Sequence, residues 1–185
     1  MTQREVVQND ALSIATQHKR CGLGISMGVG KTRIAIEHLK KNYNPFIKAL
    51  VVVPKNTVMK SWTTELEKMG NEDLLNHITF TTYLSINKHN PADYDIVYLD
   101  ECHSLLLTHE PFLSQFTGRI LGLTGTPPRR TDSVKGRLVN KYCPIKYTFK
   151  VDDATDSHIL NDYNIIIHEL TLSPLKNVKK KKTES

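Results

Sequence analysis

The stretch Cys21-Gly22-Leu23-Gly24-Ile25-Ser26-Met27-Gly28-Val29-Gly30-Lys31-Thr32 decides how the rest of the chain is read. Cys21 to Ser26 is short and apolar, as in a buried strand. Two glycines then flank Val29, and Lys31-Thr32 opens a helical pattern that runs to about Lys41. Glycine lets the backbone turn tightly, so successive N–H groups can converge on one point. A helix that starts there adds its positive end. The segment is therefore expected to cradle phosphate. Lys31 would reach the β- and γ-phosphates of a nucleoside triphosphate, and Thr32 would offer its hydroxyl to Mg2+. One position departs from the full phosphate-loop pattern, which asks for glycine where Ile25 stands.

Upstream, Val6, Val7, Ala11, Leu12, Ile14 and Ala15 fall roughly on one side of a helix. Downstream, Ala49-Leu50-Val51-Val52-Val53 is a continuous apolar run, which suits a parallel strand buried on both faces. Pro54 ends it. Residues 57–69 read as a helix with Val58, Trp62, Leu66 and Met69 inward, which makes Trp62 a core residue. Further strands are expected at 77–81, at 94–99 and at 119–123, with a late one at 163–172. Strands alternating with helices predict an α/β fold with a mostly parallel central sheet and helices on both faces. The polar and glycine-rich segments fall just after strand ends, where such sheets bind ligands.

Bulk properties fit that reading. A chain of 185 residues, 39% hydrophobic and 24% charged, can bury a core of its own. It has no apolar run near the roughly 20 residues needed to span a bilayer, and its first residues lack the apolar stretch of a signal peptide. No membrane partner is expected, and the expected location is the cytoplasm. Cys21, Cys102 and Cys143 have no metal-type spacing and read as reduced thiols. The net charge of +6 suits a polyanionic partner, but Lys179-Lys180-Lys181-Lys182 carries much of the excess.

A second motif follows the strand at 94–99. Asp100-Glu101-Cys102-His103 puts two carboxylates side by side at a strand end. The first can hold Mg2+ through water, and the second can position or deprotonate an attacking water. Phosphoryl transfer calls for such a pair because its catalysis is mostly positioning and charge neutralisation.

The motifs taken together resemble the first RecA-like domain of superfamily 2 helicases and translocases, of the DExH, Swi/Snf-like or phage and viral type. Met27-Gly28-Val29-Gly30-Lys31-Thr32 is similar to motif I, and Val52-Val53-Pro54-Lys55 with Trp62 to motif Ia and its helix. Thr81-Thr82-Tyr83 resembles the next nucleic-acid motif, Asp100-Glu101-Cys102-His103 motif II, and Leu123-Thr124-Gly125-Thr126-Pro127 motif III. The likeness runs from Gln8 to about Ser173.

It implies an ATP site, with ATP and Mg2+ as cofactors, made from Gln8, Met27, Gly28, Val29, Gly30, Lys31, Thr32 and Arg33. In it, Gln8 would read adenine, Thr32 and Asp100 would serve the metal, and Lys31, Asp100, Glu101 and His103 would carry the chemistry. The resemblance further implies nucleic-acid contacts at Pro54, Lys55, Asn56, Thr81, Thr82 and Tyr83, and coupling residues at Thr124, Gly125 and Thr126. DNA is the expected polymer, with RNA, a restriction-system motor or a non-hydrolysing binding module as alternatives. Residues 1–173 are expected to form the domain. Residues 174–185 are expected to be a basic tail or the start of a connection to a second RecA-like domain, whose arginine the family uses. Low ATP hydrolysis is therefore expected from this domain alone.

Overall fold

A computed structural model describes residues 1–151 and 165–167. Helix α1 (Gln3–Gln17) opens on a capping box, in which the Glu5 amide donates to Thr2 Oγ1 at 3.1 Å and the Thr2 amide to Glu5 Oε2 at 2.8 Å. Its buried stripe is Val7, Ala11 and Ala15, at i, i+4 and i+8. Leu12 and Ile14 pack at the margin, but Val6 is exposed, because it lies about 100° round the helix from Val7.

The chain then alternates strand and helix: β1 (Arg20–Ile25), α2 (Lys31–Lys41), β2 (Ala49–Val53), α3 (Asn56–Lys68), β3 (Ile78–Thr82) and β4 (Ile96–Asp100). The four-residue α4 (Glu110–Leu113), β5 (Arg119–Thr124), α5 (Val134–Tyr142), β6 (Ile145–Val151) and β7 (Ile165–Ile167) complete it. Short 3-10 turns fill several of the connections.

The strands form one seven-stranded sheet in the order β3-β2-β4-β5-β1-β6-β7. Every pairing from β3 to β6 is parallel, and β7 adds antiparallel to β6. The long apolar runs are explained by this sheet. In β2, Ala49, Val51 and Val53 face one core with α1, α2 and α3, while Leu50 and Val52 face a second core with α4 and α5. Ile96 and Tyr98 of β4 join the first core, Val97 and Leu99 the second. A strand buried on both faces needs no polar alternation.

Two elements between the third motif and the late strand were not among those expected. α5 is capped by Ser133, whose Oγ accepts from the Gly136 amide at 3.0 Å. β6 carries an alternating pattern, Ile145, Tyr147, Phe149 and Val151 against Lys146, Thr148 and Lys150, which is a strand signal. The late strand expected at 163–172 is described only at Ile165–Ile167. The rest of it, the boundary at 173 and the basic tail lie outside the described residues.

His38, on α2, is buried at 1% exposure, with Nδ1 2.8 Å from the Tyr98 hydroxyl. Burial, helped by the charge of Arg119, depresses its pKa to about 4. The folded value thus lies below the ordinary value near 6.5, so the unfolded chain binds the extra proton first as pH falls. Stability from this residue is complete above pH ~6.5 and declines until pH ~4. Urea unfolding at pH 5 is expected to give about 2 kcal/mol less stability from His38 than at pH 7. The difference between wild type and His38→Gln isolates that contribution; parallel pH profiles would refute it.

Candidate nucleotide-binding site

Parallel pairing places the ends of β1, β5 and β4 side by side. The three motifs that follow them are therefore neighbours in space, although about 70 residues separate the first from the second.

The glycine loop leaves β1 at Ser26. The Ser26 amide donates to the Phe149 carbonyl at 3.0 Å, and Ser26 Oγ accepts from the Val151 amide at 2.9 Å, so β6 anchors the loop's first residue. Gly28 and Gly30 have φ of 89° and 105°, in the left-handed region that side chains resist. Gly30 is the N-cap of α2, and no side chain caps that helix. The first-turn amides of α2 thus face the loop's mouth without a side-chain partner, as an anion site requires.

Gln8 reaches this loop from α1. Its Nε2 donates to the Val29 carbonyl at 2.7 Å, and a side-chain carbon at position 30 would collide with the same atom. Gln8 therefore braces the cradle as well as bordering the cleft. The cleft, about 640 Å3, runs from the loop between α1 and α3 and is walled by Gln8, Met27, Lys31, Thr32, Arg33 and Glu65 among others. Arg33 pairs with Glu65 across it at 3.3 Å. Met27 stands 79% exposed at the rim.

Asp100 and Glu101 are not in the walls of that cleft. They sit at the end of β4, two strands across from β1 in the order β4-β5-β1. Asp100 is 6% exposed, and its Oδ2 accepts from the Trp62 indole N–H at 2.9 Å. Burial raises the Asp100 pKa, the Trp62 bond opposes that rise, the Glu101 charge adds to it and the Lys31 charge lowers it. Lys31 thus acts on the acidic motif from the phosphate loop. Glu101 adopts φ 54° and ψ 58°, which turns the chain sharply out of the strand. Its Oε1 is buried with no hydrogen-bond partner among the described residues. A buried carboxylate oxygen is costly to leave unpaired, and a water or hydrated ion in the site would satisfy it.

The residues expected to couple the site to nucleic acid are neighbours in the fold. His103 Nδ1 lies 2.8 Å from Thr124 Oγ1 and 3.3 Å from Thr126 Oγ1, and the Thr126 amide donates to Thr124 Oγ1 at 3.0 Å. With Thr124 accepting from that amide, its own hydroxyl hydrogen suits His103 Nδ1. Gly125 packs beside the phosphate loop: a carbon added there would lie 3.6 Å from Lys31 Nζ and 3.7 Å from the Met27 amide. The third motif therefore touches the first directly and the second through a hydroxyl.

Among the expected nucleic-acid contacts, Lys55 and Asn56 are exposed at the start of α3, and Pro54 and Thr82 are half-buried. Two residues depart from expectation. Thr81 is 4% exposed within β3 and faces inward. Tyr83 is 7% exposed, and its hydroxyl donates to the Asp100 carbonyl at 2.8 Å. A phenol committed to a buried carbonyl has no free end for a phosphate, so Tyr83 belongs to the support of the acidic motif. The same segment exposes Leu84 instead, at 97%. Tyr83 and Trp62 are the supports that sequence reasoning missed. No spacing rule announces which core aromatic carries a used hydrogen-bond donor.

Residues 1–129 match the family described as Type III restriction enzyme, res subunit. The chain belongs to this family. Like other members of superfamily 2, it has the RecA-like helicase fold. An African swine fever virus protein, QP509L, described as an ATP-dependent RNA helicase, is 28% identical over 75% of this chain and 31% of its own length. Helicase 109L of Invertebrate iridescent virus 3 is 38% identical over 36% of this chain and 19% of its own length. The chain thus spans about a third or less of these curated relatives. Among solved structures, the UvsW helicase of bacteriophage T4 superposes with a TM-score of 0.63 at 16% identity, over 76% of this chain and 58% of that one. The Sulfolobus solfataricus SWI2/SNF2 ATPase core, solved with double-stranded DNA, gives 0.54 at 21% identity, over 74% and 35%. Among the described residues, no helix is long and apolar enough to cross a membrane.

Proposed function

We propose that this chain is the ATP-binding domain of a DNA-directed helicase or translocase, and that it hydrolyses ATP in concert with a second RecA-like domain. The observation that carries the reading is the meeting of three motifs at adjacent strand ends. An uncapped helix start with Lys31 adjoins Gly125, and the Thr124–Thr126 turn adjoins His103 of the acidic motif. That arrangement suits a site where phosphate chemistry is felt by a neighbouring surface.

In this reading the loop amides and Lys31 bind the phosphates, and Gln8 and Arg33 border the base and ribose. Thr32 and Asp100 would hold Mg2+, which neutralises charge on the phosphate oxygens. The donor set fits Mg2+, which takes few protein ligands and keeps water and substrate oxygens. Glu101 would position and deprotonate the attacking water. His103, Thr124 and Thr126 would pass the state of the site to the nucleic-acid side. A cytoplasmic location goes with this reading.

Lys55, Asn56 and Thr82 would form the nucleic-acid track, joined by the first amides of α3, a helix with no side-chain cap. Such groups bind phosphate and carry no base preference. DNA is favoured by the restriction-enzyme family match and by the DNA-bound SWI2/SNF2 neighbour. RNA is the second reading, favoured by the viral relative described as an RNA helicase.

The test is a binding isotherm on single-stranded, double-stranded DNA and RNA oligonucleotides, with residues 176–185 removed so that the lysine run cannot answer for the track. Binding is expected to be sequence-independent and to weaken steeply with salt. Lys55→Ala is expected to reduce the logarithmic salt slope by about 1. An unchanged slope would remove Lys55 from the track, and loss of all binding with the tail would remove the track itself.

A further inference from the structure

Trp62 lies in the middle of α3, fully buried, with its ring between Phe80 at 6.4 Å and Tyr98 at 5.9 Å. Packing alone accounts for a large apolar side chain there, but not for an indole N–H aimed at a carboxylate. That N–H donates to Asp100 Oδ2 at 2.9 Å, with both groups buried. Hydrogen bonds to an ionised acceptor are shorter and stronger than neutral ones. On the main-chain side, the Tyr83 hydroxyl donates to the Asp100 carbonyl at 2.8 Å. Asp100 is therefore gripped at its backbone and at one carboxylate oxygen, by donors from the segments that follow β2 and β3. The indole takes Oδ2, so Oδ1 is the carboxylate oxygen that Trp62 does not engage.

We propose that Trp62 is a positioning residue for the metal-side carboxylate: its indole N–H fixes the Asp100 rotamer so that the second oxygen is presented to hydrated Mg2+. This rests on the proposed nucleotide site, in which Asp100 serves Mg2+. Groups that orient a metal ligand from behind typically change metal affinity 10–100-fold when lost. The donor, and not the bulk, is the active feature.

The test separates donor from shape. Trp62 is the chain's single tryptophan, so residue-specific replacement with 3-benzothienylalanine exchanges N–H for sulfur and keeps the bicyclic outline. Trp62→Phe is the companion variant, and 5-fluorotryptophan, which keeps the N–H, is the rescue. Calorimetry measures the affinity of a non-hydrolysable ATP analogue in Mg2+ and in EDTA. In wild type, Mg2+ is expected to tighten binding. The benzothienyl and Phe proteins are expected to lose about tenfold or more of that enhancement, with affinity in EDTA unchanged, and 5-fluorotryptophan is expected to restore it. In Asp100→Asn, removing the donor is expected to add nothing. Equal Mg2+ enhancement with and without the N–H would overturn the assignment of Trp62, leaving the nucleotide site intact. An equal loss in Mg2+ and in EDTA would also overturn it, as the mark of a purely structural residue. A wild type that binds no nucleotide would overturn the nucleotide site and this inference together.

Discussion

Replacing Lys31 with Ala is expected to weaken Mg-ATP binding by roughly two orders of magnitude. Lys31 is the first residue of α2, placed by a left-handed Gly30 at φ 105°, and its Nζ lies near the Gly125 turn. In the proposed site it is the cation closest to the β- and γ-phosphates. Losing one partner of a buried, charge-assisted contact costs about 2–5 kcal/mol. At about 1.4 kcal/mol per tenfold, that is roughly 30- to 4,000-fold in affinity. Lys31 is only half-buried and not part of either core, so the fold is expected to survive. Titration of a fluorescent ATP analogue, with thermal unfolding as the control, decides it. Equal affinities would dismiss the phosphate loop.

Glu101→Gln is expected to behave in the opposite sense, keeping affinity and losing turnover. Gln preserves the length and shape of the side chain, and it meets the same left-handed backbone at φ 54° that Glu already tolerates. What it lacks is the carboxylate, whose buried Oε1 has no partner among the described residues. General-base contributions are typically 10²–10⁴-fold. A single-turnover measurement of phosphate release, with the domain joined to a second RecA-like domain, is expected to fall within that range. Nucleotide affinity is expected to change by less than about threefold, since the Asp100 and loop contacts remain. Unchanged turnover would mean that another group activates the water.

The two expectations differ because the residues sit at different strand ends, and the sequence shows why. Each motif is local: a glycine turn before Lys31-Thr32, a carboxylate pair after a β-branched run, a Thr-Gly-Thr turn. Local patterns are legible because backbone geometry and charge dictate them within a few residues. The strand–helix alternation was equally legible, since fully buried parallel strands such as Ala49–Val53 show as unbroken apolar runs. β6 escaped notice although its alternation was present, because it is a half-buried strand of lysines and aromatics and not an apolar run. The exposed side of Val6 escaped for a related reason: α1 buries a narrow stripe of Val7, Ala11 and Ala15, and neighbours of that stripe look identical in sequence.

By itself the sequence determined the α/β class, the glycine loop before Lys31, the acidic pair and the order of the motifs. Those follow from periodicity, from glycine's backbone freedom and from charge placement, all short-range properties. Only the tertiary structure decided which distant groups meet. The strand order puts β5 between β4 and β1, so Thr124 reaches His103 while Gly125 reaches the phosphate loop. It also turned Tyr83 from an expected nucleic-acid contact into a buried support of Asp100, and gave the core residue Trp62 a hydrogen bond to the same carboxylate. A side chain's partner across 17 or 38 residues is set by sheet order and helix packing, which sum many contacts, and no local pattern contains that sum.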